Sequence, residues 1–116
     1  MAVQKREKDY TKPLGERSRR RIRLVREGKK IIEYLVQLEV EMQPGAWKPV
    51  VRYDNVHGFP HRDQLNEEGE EKKNFMNAIF DILTGYRDVV HQAEQDIEKN
   101  WEAYSQRFLE GKWPIK

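Results

Sequence analysis

Every even position along residues 32–42, from Ile32 to Met42, is apolar, and most of the odd positions are polar. The polar odd positions hold glutamate and glutamine. Because the side chains of a strand point alternately to its two faces, this pattern predicts a strand with one buried face. Turn residues follow at 43–46, and a second apolar segment runs over residues 47–53. Two such segments joined by a short turn predict an antiparallel hairpin.

Two further short strands are predicted after this hairpin, at about residues 59–65 and 70–76. The C-terminal part of the chain has a different period, because large apolar residues recur every three or four positions from Leu83 to Phe108. That spacing predicts one long helix over about residues 85–110, with its apolar side on the sheet. The predicted fold class is therefore α+β, an antiparallel β-meander of three to four strands packed on one long C-terminal helix.

Composition narrows the class of protein. The chain has 116 residues, 36% of them charged, and it contains no cysteine. This length suits one domain, and the lack of cysteine excludes disulfides, thiolate metal sites and cysteine nucleophiles. No apolar run approaches the roughly 18 residues that a membrane helix needs. We therefore expect a cytoplasmic protein that does not associate with membranes.

Charge is distributed unevenly along the chain. Residues 1–30 hold twelve Lys and Arg against four Asp and Glu, and the remainder holds ten against sixteen. Since the first 20 residues also have few large apolar side chains, we predict a basic flexible arm at 1–25 and a single α+β domain at 26–112. The arm is expected to contact nucleic-acid phosphates, or else to be a solvated segment that keeps the protein soluble. The arginines predicted to bind nucleic acid are Arg19, Arg20, Arg21 and Arg23.

Candidate chemistry concentrates between the second and third predicted strands, where two of the three histidines lie. Histidine titrates near neutral pH, so His57 and His61 could exchange protons with a ribose 2′-hydroxyl and a leaving 5′-oxygen. Arg52 would hold the phosphate, and Asp54 would orient a histidine. These four residues are the predicted catalytic group, and Arg62 is predicted to bind nucleic acid.

Two other interpretations of this segment stay open. In the first, Asp54 and Asn55 are turn residues that hydrogen-bond to the backbone, and His57 and His61 are satisfied polar groups of a structured loop. In the second, Asp54, His57, His61 and Asp63 bind a divalent metal, although their spacing matches no well-defined metal signature. We predict no metal site and no cofactor.

The same segment resembles known proteins. Residues 50–63, with Arg-Tyr-Asp, His-Gly-Phe and His-Arg-Asp, resemble a family of small uncharacterised prokaryotic proteins, as do residues 96–102. This likeness covers about residues 20–110 and implies no function. A shorter pattern is similar to TumE-type toxins of toxin–antitoxin systems, and the chain departs from it at residues 61–63. The residues that carry this second likeness are Arg52, Tyr53, Asp54, Asn55, His57 and His61.

The residues and the likeness to TumE-type toxins imply a nucleic-acid-acting, toxin-like protein, and a metal-independent ribonuclease in particular. RNA or DNA would then be the substrate, and a cognate antitoxin would be a protein partner. The alternative is a non-enzymatic module for protein interaction, or an accessory module that binds nucleic acid without cleaving it. Only the first hypothesis requires the two histidines to lie within reach of one phosphodiester.

Overall fold

The structure is a computed structural model that describes residues 4–76 and 80–113, except for the side chain of His57. Within these residues, six antiparallel strands form one sheet in chain order, and one long helix follows. The elements are β1 (Lys5–Gly15), β2 (Ser18–Glu27), β3 (Lys30–Gln43), β4 (Ala46–Asp54), a 3-10 turn (Val56–Gly58), β5 (His61–Leu65), β6 (Glu71–Phe75) and α1 (Arg87–Leu109). The predicted α+β class, the antiparallel meander and the single C-terminal helix are confirmed.

The predicted number of three to four strands is wrong, because β1 and β2 extend the sheet to six in the described part of the chain. These two strands occupy most of residues 5–25, where the sequence predicts a flexible arm, and β2 continues to Glu27. The physical reason lies in an alternation within the arginine run. Ile22 and Leu24 are buried, and the intervening arginines point to the opposite face. None of the residues of β1 is buried, so pairing with β2 holds this edge strand in place.

The hydrophobic core lies between the sheet and α1, which covers β2, β3 and β4. The predicted burial of even-numbered β3 residues is confirmed at four positions, which pack with Val89, Val90, Ala93 and Ile97 of the helix. The four positions are Tyr34, Val36, Leu38 and Val40. The prediction that the odd positions are exposed is wrong for Gln37 and Glu39, which are buried on the other face. Side chains from the neighbouring strands form hydrogen bonds with both of these residues there.

The segment before α1 is attached to the start of β3 by backbone hydrogen bonds. The amide of Ile31 donates to the carbonyl of Thr84 at 3.1 Å, and the amide of Tyr86 donates to the carbonyl of Ile31 at 3.0 Å. Gly85 lies between these two bonds and has a positive φ of 65°. This junction sets the position from which α1 crosses the sheet. No helix among the described residues has the length and apolar character needed to cross a membrane.

Candidate functional site

A polar groove of about 400 Å³ lies on the sheet face away from α1. The alternation of β4 places Tyr53 toward the helix, where its hydroxyl donates to Asp96 at 2.6 Å. The neighbouring residues of β4 therefore point to the opposite face. In the register of β4 with β5, Arg52 lies opposite Asp63, and Asp54 lies opposite His61. The polar lining of the groove includes Gln37, Arg52, Asp54, His61, Asp63 and Lys73.

His61 is buried at the centre of this groove, between two buried carboxylates. Its Nε2 lies 2.6 Å from Oδ1 of Asp54 and 3.4 Å from Oδ2 of Asp63. Its Nδ1 lies 2.9 Å from the carbonyl oxygen of Phe59, which can only accept a hydrogen bond. Nδ1 therefore carries a proton, and both ring nitrogens already have partners. We name Asp54, His61 and Asp63 the His–Asp cluster.

Asp63 is the member of the cluster whose carboxylate is least satisfied by hydrogen bonds. Only 2% of its surface is exposed, and its Oδ1 accepts no hydrogen bond from the described residues. The nearest cation to that oxygen is Nζ of Lys73, at 4.0 Å, which is beyond hydrogen-bonding distance. Burial raises the pKa of the Asp63 carboxyl above its ordinary value, since desolvation disfavours the charged form.

Arg52 borders the cluster and is held by a chain of hydrogen bonds along the groove. Its Nε donates to Gln37 at 2.7 Å, and the amide nitrogen of Gln37 donates to Glu39 at 2.6 Å. Glu39 also accepts a hydrogen bond from Arg19 at 2.7 Å. Among the residues that the structure describes, Arg52 bonds to a neutral amide and has no ion pair, so its charge is available for an anion.

The structure does not bring Arg62 or Arg20 to the groove. Arg62 lies on the helix side of the sheet, where its Nη2 donates to the hydroxyl of Tyr104 at 3.2 Å. That hydroxyl donates to Asp96 at 2.6 Å, and burial together with this hydrogen bond raises the pKa of Tyr104 to about 12. Arg20 also faces the helix, with its Nη1 3.4 Å from Glu98. The predicted site therefore divides between the two faces, with Arg52, Asp54 and His61 together on the polar one.

Arg21 and Arg23 lie on the polar face, but carboxylates of the edge strand β1 neutralise them. Arg21 donates two hydrogen bonds to Asp9, at 3.2 and 2.9 Å, and these bonds lower the pKa of that carboxyl. Arg23 donates to Glu7 at 2.6 Å and lies 3.6 Å from Glu33. These two arginines hold β1 against β2. Because each would have to break an ion pair before it could bind phosphate, they are less available to phosphate than an unpaired cation is.

The opposite face of β1 carries a basic surface that the sequence analysis missed. Its even-numbered residues from Arg6 to Lys12 are exposed, and they lie on the helix side of the sheet, one strand beyond the buried Ile22 and Leu24 of β2. Nζ of Lys8 lies 5.0 Å from the ring centroid of Tyr10. No ion pair to these cations occurs in residues 4–76 and 80–113. We name this surface the basic stripe, and its cations are Arg6, Lys8, Lys12 and Arg26. The sequence does contain a sign of this surface. Within residues 6–12 the acidic residues stand at odd positions and the basic residues at even positions, which is the alternation expected of a strand with one basic face.

The second predicted histidine is placed only through its backbone. His57 lies in the 3-10 turn Val56–Gly58, directly after β4, and its side chain lies outside the described part of the structure. The proximity of the two imidazoles, which the two-histidine mechanism requires, therefore stays a prediction. In the geometry described, proton exchange by His61 requires Nε2 to be released from Asp54.

These features define an α+β protein with a helix-covered sheet, whose opposite face holds a buried His–Asp cluster. The family described as a domain of unknown function (DUF7718) matches residues 5–113, so the chain belongs to that family. The match begins at the first residue of β1 and ends four residues after α1, so the whole fold lies within the family domain. The chain matches no curated protein and no solved structure.

Proposed function

We propose that the protein acts on RNA as a toxin-like ribonuclease, with the polar groove as the reaction site and the basic stripe as an RNA-binding surface. The observation that carries this proposal is the convergence of Arg52, Asp54 and His61 in one groove. These residues come from two strands and flank a bend, and they belong to the pattern that is similar to TumE-type toxins.

The groove offers the elements of phosphodiester chemistry. A guanidinium without a carboxylate partner can bind a phosphate oxygen and stabilise the negative charge that develops during cleavage. His61 and Asp54 provide groups that can hold or move a proton beside it. Because the walls of the groove are part of a continuous sheet, these groups are held on a rigid support.

The basic stripe supplies the binding surface. Nucleic acid is attracted chiefly through its phosphates, and cations without carboxylate partners can contact phosphates without first breaking an ion pair. Tyr10 lies among these cations, and an exposed aromatic ring gives an unpaired base a surface on which to stack. The stripe lies on the edge strand β1, whereas the groove is centred on β4 and β5 on the opposite face. An RNA that reaches both must bend around the sheet, so a flexible single strand suits this arrangement better than a rigid duplex.

We expect the double variant Lys8→Gln/Lys12→Gln to bind single-stranded RNA more weakly and with a reduced salt dependence. The logarithm of the binding constant falls linearly with the logarithm of the salt concentration. Each lost phosphate contact reduces the magnitude of this negative slope by about 0.7, so two lost contacts reduce it by about 1.4. Fluorescence anisotropy over a salt series measures this slope. The matched control Lys99→Gln/Arg107→Gln removes the same charge from exposed positions of α1. Equal slopes for the two variants would remove the stripe from the proposal.

Induced expression in bacteria tests the reaction. The wild-type protein should arrest growth and shorten total RNA, whereas Arg52→Gln should lose both effects because the phosphate-binding cation is gone. Arg107→Gln, at an exposed helix position, should behave as the wild type does. Thermal unfolding of both variants separates loss of chemistry from loss of fold. Normal growth and intact RNA with folded wild-type protein would contradict the ribonuclease proposal.

A second candidate function is a protein-interaction module, and the exposed apolar side chains favour it. Phe59 and Phe75 are 65% and 74% exposed, and Ile82 and Leu83 are 76% and 73% exposed. Phe59 and Phe75 lie on backbone segments joined by a hydrogen bond from Met76 to Pro60, and Ile82 and Leu83 are adjacent in the chain. Exposed apolar residues that lie close together commonly mark a protein interface. A toxin-like protein would present such a surface to an antitoxin. If the growth effect survives Arg52→Gln but is lost in Ile82→Ser/Leu83→Ser, interaction rather than cleavage is the activity.

A further inference from the structure

The His–Asp cluster has an arrangement of charge that a neutral imidazole cannot satisfy by hydrogen bonding. Nδ1 of His61 donates its proton to the carbonyl of Phe59, so a neutral imidazole presents a lone pair at Nε2. That lone pair faces oxygens of Asp54 and Asp63, and ionised carboxylates can only accept. Three electron-rich atoms therefore converge on one point in a buried position. A positive charge is needed at that point, and either a second proton on His61 or a bound cation can supply it.

The backbone contact of His61 is the one that a metal-binding histidine uses. A histidine that ligates a metal through one ring nitrogen usually donates a hydrogen bond from the other to a carbonyl or carboxylate, which fixes the tautomer and the orientation of the ring. In this structure the carbonyl of Phe59 has that role, and it leaves Nε2 directed at the two carboxylates.

The spacing of the three donors also suits a small cation. Two ligands that each lie about 2.1 Å from a metal and at right angles to one another are about 3 Å apart. The two contacts of Nε2, at 2.6 Å to Asp54 and 3.4 Å to Asp63, lie on either side of that value. One ligand atom from each of the three residues falls within a mutual distance of 4.8 Å.

An independent observation points to a missing partner. Oδ1 of Asp63 is buried without a hydrogen bond, and Lys73 lies too far away to supply one. A buried carboxylate oxygen without a partner is destabilising, so such groups are normally paired or bound to a metal. The cluster also lines the polar groove, which gives an ion and water a route to it.

We propose that Asp54, His61 and Asp63 bind one first-row divalent transition cation, of the class of Mn²⁺ or Zn²⁺. Imidazole nitrogen selects such ions over Ca²⁺ and Mg²⁺, and the two carboxylates supply the hard oxygen ligands that Mn²⁺ and Zn²⁺ accept. Three protein ligands leave coordination positions open toward the groove, where water or a phosphate oxygen can bind beside Arg52. This inference goes beyond the proposed function, because with an ion bound His61 and Asp54 would hold the ion rather than move a proton. It replaces the expectation from sequence that the protein has no metal site.

Calorimetric titration of the chelator-treated, desalted full chain with MnCl₂ and with ZnCl₂ tests the proposal. We expect one equivalent to bind to the wild type and to raise Tm when the ion is in excess. Asp63→Asn keeps the shape of the side chain but removes the charge, and it should weaken binding at least about tenfold. Asp9→Asn, on the same sheet face but outside the cluster, should bind as the wild type does.

A second measurement keeps the test decisive if a variant fails to fold. Bound Mn²⁺ broadens the amide signals of nearby residues, so wild-type signals at positions 54, 61 and 63 should disappear while those of α1 remain. The absence of binding up to about 1 mM ion, unchanged affinity in Asp63→Asn, or broadening centred elsewhere would each overturn the proposal. None of these measurements uses RNA. A protein that binds the ion but leaves RNA intact would contradict only the proposed function, and a ribonuclease that binds no ion would contradict only the metal site.

Discussion

Gly85→Ala is expected to destabilise the protein by about 2–5 kcal/mol, which combines backbone strain of about 1–2 kcal/mol with overpacking of about 1–3 kcal/mol. Gly85 has a φ of 65°, in the region that side chains disfavour. A Cβ added there would overlap the carbonyl oxygen of Ile31 and would lie 2.8 Å from its amide nitrogen. Both contacts are with backbone atoms, which cannot move aside as a flexible side chain would. The junction between β3 and the start of α1 would therefore have to open.

Gly28→Ala is the matched control for this substitution. Gly28 has a similar φ of 58° in the β2–β3 turn, and an added Cβ would meet no atom within 4 Å. It should cost about 1–2 kcal/mol, from backbone strain alone. Urea unfolding of both variants then isolates the clash at Ile31 as the difference between them. Equal losses of stability would show that the segment before α1 shifts freely and that this junction does not fix the helix.

Much of the fold could be predicted because strands and helices that bury one face show a periodic pattern of apolar residues in the sequence. The even positions of β3 face the helix, so burial requires apolar residues there, and α1 carries the matching apolar stripe. This apolar pattern is much weaker in β1 and β2. In β2 only Ile22, Leu24 and Val25 are buried and apolar, and β1 is stabilised by pairing and by ion pairs such as Arg21 with Asp9. Alternation of unlike charges is easily mistaken for a basic, unstructured segment.

The candidate site was predictable in its location but not in its geometry. Residues on either side of a bend between paired strands must lie close together, and Asp54 and His61 do. The face to which each side chain points depends on how many residues the bend contains, and the sequence does not fix that number. Arg62 follows His61 directly, so it points to the opposite face, where it contacts Tyr104. The burial of His61 between two carboxylates depends on the same register.

The centre of the core offers the most direct test of the architecture. Leu38 is 0% exposed and belongs to the apolar cluster formed by the middle of β3 and the buried side of α1. Its backbone partners are Val51 on β4 and Arg20 on β2, and both are buried, so neighbouring strands close the site on both sides. A cavity made there can collapse only partly. We therefore expect Leu38→Ala to lower the free energy of unfolding by about 2–5 kcal/mol.

Leu83→Ala makes the same chemical change at a position that is 73% exposed, and it should alter stability by less than about 0.5 kcal/mol. Urea unfolding followed by circular dichroism measures both variants, and the slope of free energy against urea should stay that of the wild type. A large loss in Leu38→Ala and a small one in Leu83→Ala would place the core between β3 and α1, as the structure describes. Similar small losses in both variants would mean that α1 does not cover this face of the sheet in solution. The side-chain directions along β3 and β4 would then differ from those described, and so would the placement of the His–Asp cluster.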